Sequence, residues 1–354
     1  MIMKKAFSVF LCLLIVLQLC GCTSAGDRQS LTKGDRRKVT ETVMAMNTVM
    51  QITVFRTSEG TTQQVADLMK KRITELEELF DVNSPDSDVS KINNFEGTEF
   101  DDIHVNEDTA NILTAAKGAY YGTDYLFDIK IMPVLKLWGF DNGNYGVPKA
   151  EDIEKALAVT DKSRINIYPD ENTVRLTEGT EISLGGIAKG YLGDELLKIA
   201  EEYGATALLS LGGNIVLCGE KSEDELWRVG VKNPKDTENI VCSVECKGNQ
   251  SVVTSGGYER YFEYGGQEYH HIIDPRTGYP AESDLLSVTV IGENGTMCDA
   301  YSTALFIMGK EKAVDFAAKA NGYEFIFITE SDEILATDGV NIESDGFKFK
   351  SIPR

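Results

Sequence analysis

The sequence predicts an α+β fold in which mixed or antiparallel sheets pack against helices. Two observations carry this expectation. Segments with apolar residues three and four apart are interleaved with short alternating or apolar runs, yet the regular strand-helix alternation of a doubly wound sheet is missing. No internal repeat or long low-complexity stretch interrupts the 354-residue chain, and the roughly 310 residues left after its leader and tether are ample for a large core.

Lys4 and Lys5 precede an apolar run from Ala6 to Leu19 that is too short to span a bilayer comfortably, so residues 1–21 read as a signal peptide. It ends in Leu19-Cys20-Gly21-Cys22, which resembles the bacterial lipoprotein signals whose last cysteine is acylated. Cys22 is therefore the expected lipid anchor. The expectation is an exported lipoprotein held to a membrane through Cys22, with its domain on the extracytoplasmic side. Residues 22–42 are polar and aperiodic and read as the lipidated terminus and a flexible tether; residues 43–354 read as the working domain.

The formal net charge is −21, and removing a leader with two lysines and no acid takes it to −23. Nucleic acid is excluded as a partner class, and a domain this acidic has no reason to lie flat on anionic lipid. Cys218, Cys242, Cys246 and Cys298 show no disulfide framework. On one strand, Cys242 and Cys246 would stand about 13 Å apart, too far to pair. Three histidines and no tight CxxC leave no structural zinc site.

Val49–Phe55 alternates as a strand does, and Thr61–Phe80 places Val65, Leu68, Met69, Ile73, Leu76 and Leu79 on one helical face. Asp81–Asn94 is turn-rich, with Ser87 suited to cap a short helix. Asn106–Tyr121 reads as a helix closed by Gly122, and Thr123–Phe140 as a buried apolar segment interrupted by Pro133. A short helix over Lys149–Val159 precedes two strands within Arg164–Leu176, joined at Pro169–Asn172. Glycines open the segment Ile182–Tyr203, which continues as a helix. Strands are then expected at Ala207–Leu211, Ile215–Cys218, Trp227–Val231, Val241–Cys246, Ser251–Thr254, Tyr258–Tyr264, Leu286–Ile291 and Phe325–Thr329. Ala300–Gly322 supplies two helices broken at Gly309.

Three groups of residues carry chemistry. In Ser183-Leu184-Gly185-Gly186-Ile187-Ala188-Lys189-Gly190, glycines precede a helix start, where backbone amides and a mobile lysine can meet phosphate. A strand-to-helix turn with glycines chosen for close packing reads the same way, and neither GxxxxGK[ST] nor GxGxxG is present. Asp299 and Thr303 lie four apart in a helix, so that carboxylate and hydroxyl project from one face. Oxygen donors of this kind suit Mg²⁺; a helix cap and a hydroxyl bonded to its own turn use the same residues. His270-His271 followed by Asp274-Pro275-Arg276 offers a general base, a carboxylate to assist it and a rigid turn. On a strand the two rings face opposite ways, so only one serves as a base. Arg276 suits a phosphate or one of the chain's own carboxylates equally. Together the groups describe phosphoryl or nucleotidyl transfer and name neither nucleotide nor acceptor.

Nine motifs, in order, resemble one family. They are AMNTVMQI, SPDSDVSKIN, FDIKIMPVLKLWGF, SLGGIAKGY, LLSLGGNI, WRVGVKNP, VVTSGGYERYF, HHIIDPRTGYP and CDAYSTALFIMG, spanning about Met44 to Gly309. The chain is similar to the ApbE family of FAD:protein FMN transferases, formerly labelled thiamine-biosynthesis lipoproteins. The resemblance implies a T-fold-like α+β architecture and a Mg²⁺-dependent reaction that cuts FAD and joins FMN by a phosphodiester to a Thr or Ser hydroxyl, releasing AMP. Some members hydrolyse FAD instead. The implied acceptors are flavin-carrying subunits of Na⁺-NQR and Rnf type or related exported flavoproteins.

Carried over, the resemblance assigns the metal to Asp299, Thr303 and the main-chain oxygen of Gly186. It assigns FAD contacts to Met46, Asn83, Asp128, Ser183, Lys189 and Ile273. His271 becomes the general base, with Asp274 close by. Two positions depart from the pattern: Asn47 stands where Met-Gly-Thr is usual, putting a side chain where the family has none, and Ser183 stands where Asp is common, removing a negative charge.

Overall fold

The computed structural model describes residues 34–354 apart from 223–224 and 345–346. The expected leader, Cys22 and the first part of the tether lie outside the described residues. Folded structure begins before Val43. Strand β1 (Val39–Ala45) pairs along its whole length with β2 (Thr48–Arg56), and Asp35 ahead of it accepts from Thr57 N–H through its carbonyl at 2.8 Å and from the Thr62 hydroxyl through its carboxylate at 3.1 Å. The tether expected over 22–42 therefore ends earlier. Thr40 and Thr42 on the outer face of β1, with Glu41 between them, make that strand look like linker.

After α1 (Thr62–Phe80) and α2 (Asp88–Asn93), the short β3 (Ile103–His104) leads into α3 (Glu107–Gly122). Ser87 caps α2 by accepting from Ser90 N–H at 2.9 Å, as its position suggested. The apolar segment bends through a 3-10 turn at Ile129–Ile131 into α4 (Met132–Trp138), with Pro133 in its first turn where its missing N–H is harmless. Helix α5 (Ala150–Lys162) precedes β4 (Ile165–Tyr168) and β5 (Thr173–Leu176), which form a small sheet with β3.

Then come α6 (Ala188–Glu202), β6 (Thr206–Leu211), β7 (Asn214–Cys218), β8 (Trp227–Asn233), β9 (Asp236–Cys246) and β10 (Gln250–Gly256). The strand expected from Tyr258 starts later: a 3-10 turn occupies Gly257–Glu259, and β11 (Tyr261–Tyr264) pairs with the polar β12 (Gln267–His270). The chain closes with β13 (Leu285–Gly292), α7 (Gly295–Met308), α8 (Lys310–Ala317), β14 (Tyr323–Thr329), β15 (Glu333–Thr337), β16 (Ile342–Ser344) and β17 (Lys348–Ile352).

Nine strands form one sheet in the order β1-β2-β6-β7-β10-β13-β14-β15-β17, antiparallel except for the final β15–β17 pair. Its two faces bury different partners, and β14 shows how: Phe325 and Phe327 join the core beneath the helices, while Ile326 and Ile328 join a second core shared with β8 and β9. A period of two makes one apolar strand serve both. A third cluster sets Trp138, Phe140 and Ile153 against Ile273, and Trp138 Nε1 donates to Gly278 O at 2.8 Å. No helix among the described residues is long and apolar enough to cross a membrane. Cys218, Cys242, Cys246 and Cys298 are buried free thiols.

The two-residue loop of the first hairpin answers the question raised by Asn47. Met46 and Asn47 have φ of 48° and 58°, and Ala45 pairs with Thr48. Both residues are left-handed, as the twist of a two-residue hairpin requires, and asparagine tolerates that region best after glycine. The backbone that glycine would give is kept. Asn47→Gly is expected to leave stability within about 0.5 kcal/mol, whereas Asn47→Val lowers it by about 1–2 kcal/mol in urea denaturation.

Candidate active site

A cavity of about 360 Å³ opens where the first hairpin turn, the end of α1, the segment after α3, the glycine loop, the end of β10, the segment after β12 and α7 converge. It collects Met46, Asn83, Asp128, Ser183, Gly186, Lys189, His271, Ile273, Asp299 and Thr303. Of the residues expected in the site, Asp274 is missing from its walls.

The glycine loop is held at both ends. Ser183 N–H donates to Ile129 O at 2.7 Å, tying the loop to the turn that Asp128 caps. Asp128 itself accepts from Lys130 N–H at 2.9 Å and from Lys130 Nζ at 2.6 Å. At the other end, Gly190 N–H donates to Asp299 Oδ2 at 2.8 Å. Asp299 thus caps a helix, though not its own: the cap of α7 is Asn294, and the Asp299 carboxylate serves the first turn of α6. Thr303 stands one turn further along α7. A Cβ at Gly186 would lie 3.6 Å from the Thr303 hydroxyl and 3.1 Å from the Phe127 ring, which places Gly186 directly beside Thr303.

The donor set fits a hard cation. Asp299 and Thr303 line the cavity beside Gly186, and carboxylate, hydroxyl and carbonyl are oxygen ligands of the kind Mg²⁺ takes, completed by water and substrate phosphate. Among the described residues no group of three His, Cys, Asp or Glu could hold a metal, so the set rests on one carboxylate and neutral oxygens. Ser255 adds a hydroxyl 3.4 Å from Thr303 Oγ1 and 2.7 Å from Ser302 Oγ.

The two histidines divide, His270 ending β12 and His271 opening the bend that follows it. His270 packs edge-on against Phe306 and its Nε2 lies 3.1 Å from Ala281 O, a structural position. His271 faces the cavity. Its Nδ1 lies 3.0 Å from Arg260 O, and a carbonyl can only accept, so Nδ1 carries the hydrogen and Nε2 keeps a free lone pair. Burial lowers its pKa to about 4, opposed by the bond to Arg260 O and helped by the Arg260 and Lys189 charges. The ring is neutral at pH 7.

Asp274 does not assist it. The Asp274 carboxylate is buried against Arg276, which donates from Nε at 2.9 Å and from Nη2 at 2.6 Å, and the turn closes through Gly278 N–H to Asp274 O at 2.8 Å. Two residues of separation let the guanidinium fold back onto its own turn. Arg276 thereby finds a carboxylate instead of a phosphate, and the carbonyl of Arg260 takes over the orienting role expected of Asp274.

Four wall residues were missed in the sequence. Glu77 accepts from Met46 N–H at 2.8 Å, Asp141 has a buried Oδ1 with no protein partner, and Arg260 is held by Phe140 O and its ring. The fourth, Glu259, is open to the cavity but walled by protein. Burial pushes its carboxyl up to about 7, against the pull of Lys189 and Lys232 and with repulsion from Asp299. Gly213, at φ 103°, makes room for it, since a Cβ there would lie 3.3 Å from its Oε1. Only Glu77 carried a signal, its place on the face of α1 toward the first hairpin.

Known proteins fit this arrangement. A sequence profile described as the ApbE family matches residues 46–327. The chain belongs to the ApbE family. A FAD:protein FMN transferase of Klebsiella pneumoniae is 34% identical over 304 residues, covering 85% of this chain and 92% of the relative. One from Treponema pallidum is 29% identical over 344 residues, 92% of each chain. Among solved structures, the ApbE protein of Thermotoga maritima superposes with a TM-score of 0.75 at 32% identity, covering 88% of this chain and 97% of its own. The flavin transferase ApbE of Vibrio cholerae, at 23% identity and a TM-score of 0.73, shares the fold. The expected α+β architecture with mixed sheets and packed helices is thereby borne out.

Within the family, this chain's Ser183 acts locally, its Oγ accepting weakly from Gly185 N–H at 3.4 Å inside the loop. The His271 geometry gives a measurable consequence. An imidazole depressed from an ordinary value near 6.5 to about 4 binds its proton in the unfolded chain first. Its contribution to stability is therefore complete above pH 6.5 and is lost as pH falls toward 4. NMR titration of the ring should show it neutral at pH 5.5, and His271→Gln should flatten that part of the stability profile; titration near 6.5 would contradict the assignment.

Proposed function

We propose that this chain is an enzyme, a FAD:protein FMN transferase that cleaves FAD and attaches FMN to a Ser or Thr hydroxyl of an acceptor flavoprotein. The single observation that carries the reading is the meeting, on one cavity, of the Gly186, Asp299 and Thr303 oxygens with a neutral His271 whose Nε2 is free. Family membership supplies the flavin chemistry, and the cavity supplies the parts it needs.

The FAD pyrophosphate would lie against the glycine loop, where the N-terminus of α6 and the Lys189 ammonium offer positive potential. Asp299, Thr303 and the Gly186 carbonyl would hold Mg²⁺, which supplies charge neutralisation on the pyrophosphate when bound. His271 Nε2 takes the proton of the acceptor hydroxyl. The alkoxide oxygen forms the new bond to the phosphorus of the FMN half, the bridging P–O bond breaks, and its electron pair leaves with AMP. Met46, Asn83, Asp128 and Ile273 form the rest of the FAD wall. The acceptor is expected among flavin-carrying subunits of Na⁺-NQR or Rnf type or related exported flavoproteins. We infer further that Cys22 carries lipid and holds the enzyme to a membrane outside the cytoplasm, a reading supported by the leader in residues 1–21.

Incubation with FAD, Mg²⁺ and such an acceptor should give a fluorescent adduct whose intact mass rises by one FMN. Free FMN and AMP alone, with a competent acceptor present, would contradict the transferase reading in favour of hydrolysis. His271→Ala should lower kcat by about 10²–10⁴-fold while leaving FAD affinity near that of the parent, as loss of a general base requires.

A further inference from the structure

Helices α6 and α7 cross through a pair of matching four-residue steps. On α6 they are Gly190 and Asp194; on α7 they are Gly295 and Asp299. Gly190 N–H donates to Asp299 Oδ2, as described above. The reverse bonds are equally well made. Gly295 N–H donates to Asp194 Oδ1 at 2.7 Å, and Thr296 donates to Asp194 Oδ2 from its N–H at 2.8 Å and from its hydroxyl at 2.5 Å. Each helix therefore satisfies otherwise unpaired first-turn amides of the other with a carboxylate from its own second turn.

The glycines set the distance at which this exchange works. A Cβ on Gly190 would lie 2.3 Å from Gly295 O, and one on Gly295 would lie 3.1 Å from Gly190 O and 2.8 Å from Asp194 Oδ1. The backbones touch, leaving the helices one register. That register matters because α7 carries Asp299 and Thr303, while Gly186 lies just ahead of α6. Asp194 is not a wall of the cavity and touches none of the three oxygens. Its three bonds go to the residues that begin α7.

We propose that Asp194 is a positioning residue for the magnesium site: it fixes the start of α7 so that Asp299 and Thr303 face Gly186 before any ion arrives. The proposal rests on the metal reading given above. Outer residues that orient metal ligands typically change affinity by about 10- to 100-fold when removed, and the lower end applies to a residue acting through a helix start.

The test is binding of Mn²⁺ alone to the full chain, followed by the electron paramagnetic resonance of the free ion. Asp194→Asn, which replaces one accepting oxygen by a donor, should weaken binding about tenfold. Asn294→Ala removes the cap that α7 draws from its own chain, the 2.9 Å bond from Met297 N–H, without touching α6. It should lower the melting temperature yet change Mn²⁺ affinity by no more than about twofold. Thr296→Ala deletes one of the three bonds and should weaken binding by a smaller factor, which decides the matter if Asp194→Asn does not fold.

Unchanged Mn²⁺ affinity in a folded Asp194→Asn, or in Thr296→Ala where only that variant folds, overturns the proposal. So does equal weakening by Asn294→Ala, which would mark a general loss of helix stability. If Asp299→Ala binds Mn²⁺ like the parent, the metal reading itself fails, and the proposal falls with it for a distinguishable reason.

Discussion

The close approach on which the site depends is the crossing of α6 and α7 at Gly190 and Gly295, where a single added methyl group would meet a carbonyl oxygen at 2.3 Å. Two helix starts are brought together there, each with amides lacking partners in their own helix. Asp299 satisfies one of them through Oδ2 and is left facing the cavity beside Thr303 and the glycine loop. A carboxylate buried next to a helix start is stabilised by that positive end. It is also held ready for a cation. The loop to α6 adds Lys189, so this wall of the cavity is built from one short stretch of sequence locked by another more than a hundred residues away.

The rest of the fold supplies the platform for that crossing. The nine-stranded sheet buries one face under α1, α6 and α7 and the other against β8 and β9, so β10, which carries Ser255, has no freedom to slide. His271 belongs to a separate packing unit in which Trp138, Phe140 and Ile153 meet Ile273, with Trp138 bonded to Gly278 O. His271 and the Asp299–Thr303 face thus rest on different cores and line the same cavity. On the reading proposed above, a pyrophosphate would lie on one side of the cavity and an acceptor hydroxyl on the other.

Local patterns were legible in the sequence, and partnerships were not. The 3.6-residue spacing of α1, the cap at Ser87, the strand pair around Pro169 and the break at Gly309 all depend on residues within a turn or two, and all appear where expected. The Asp299 and Thr303 face was readable for the same reason. Asp274 misled because its nearest cation, Arg276, lies only two positions on and captures it, while the orienting carbonyl of Arg260 leaves no trace in a side-chain motif. Glu259 and Asp141 become wall residues only through the tertiary fold. Strand β1 was hidden by polar outer positions, and β12, β15, β16 and β17 by short or weakly alternating patterns. Asn47 shows the converse: an unusual residue left the backbone unchanged because the turn already required a left-handed pair.

On the proposed function, one cavity would bring a flavin dinucleotide's pyrophosphate to the oxygens of Gly186, Asp299 and Thr303. The most direct measurement is a crystal of the protein grown with FAD and Mn²⁺, read by anomalous diffraction at the manganese edge. One strong peak is expected, bonded to the Asp299 carboxylate, the Thr303 hydroxyl and the Gly186 carbonyl, with the FAD phosphates beside it and His271 Nε2 facing the phosphorus of the FMN half. A peak away from Asp299, or FAD bound with its pyrophosphate outside this cavity, would contradict it.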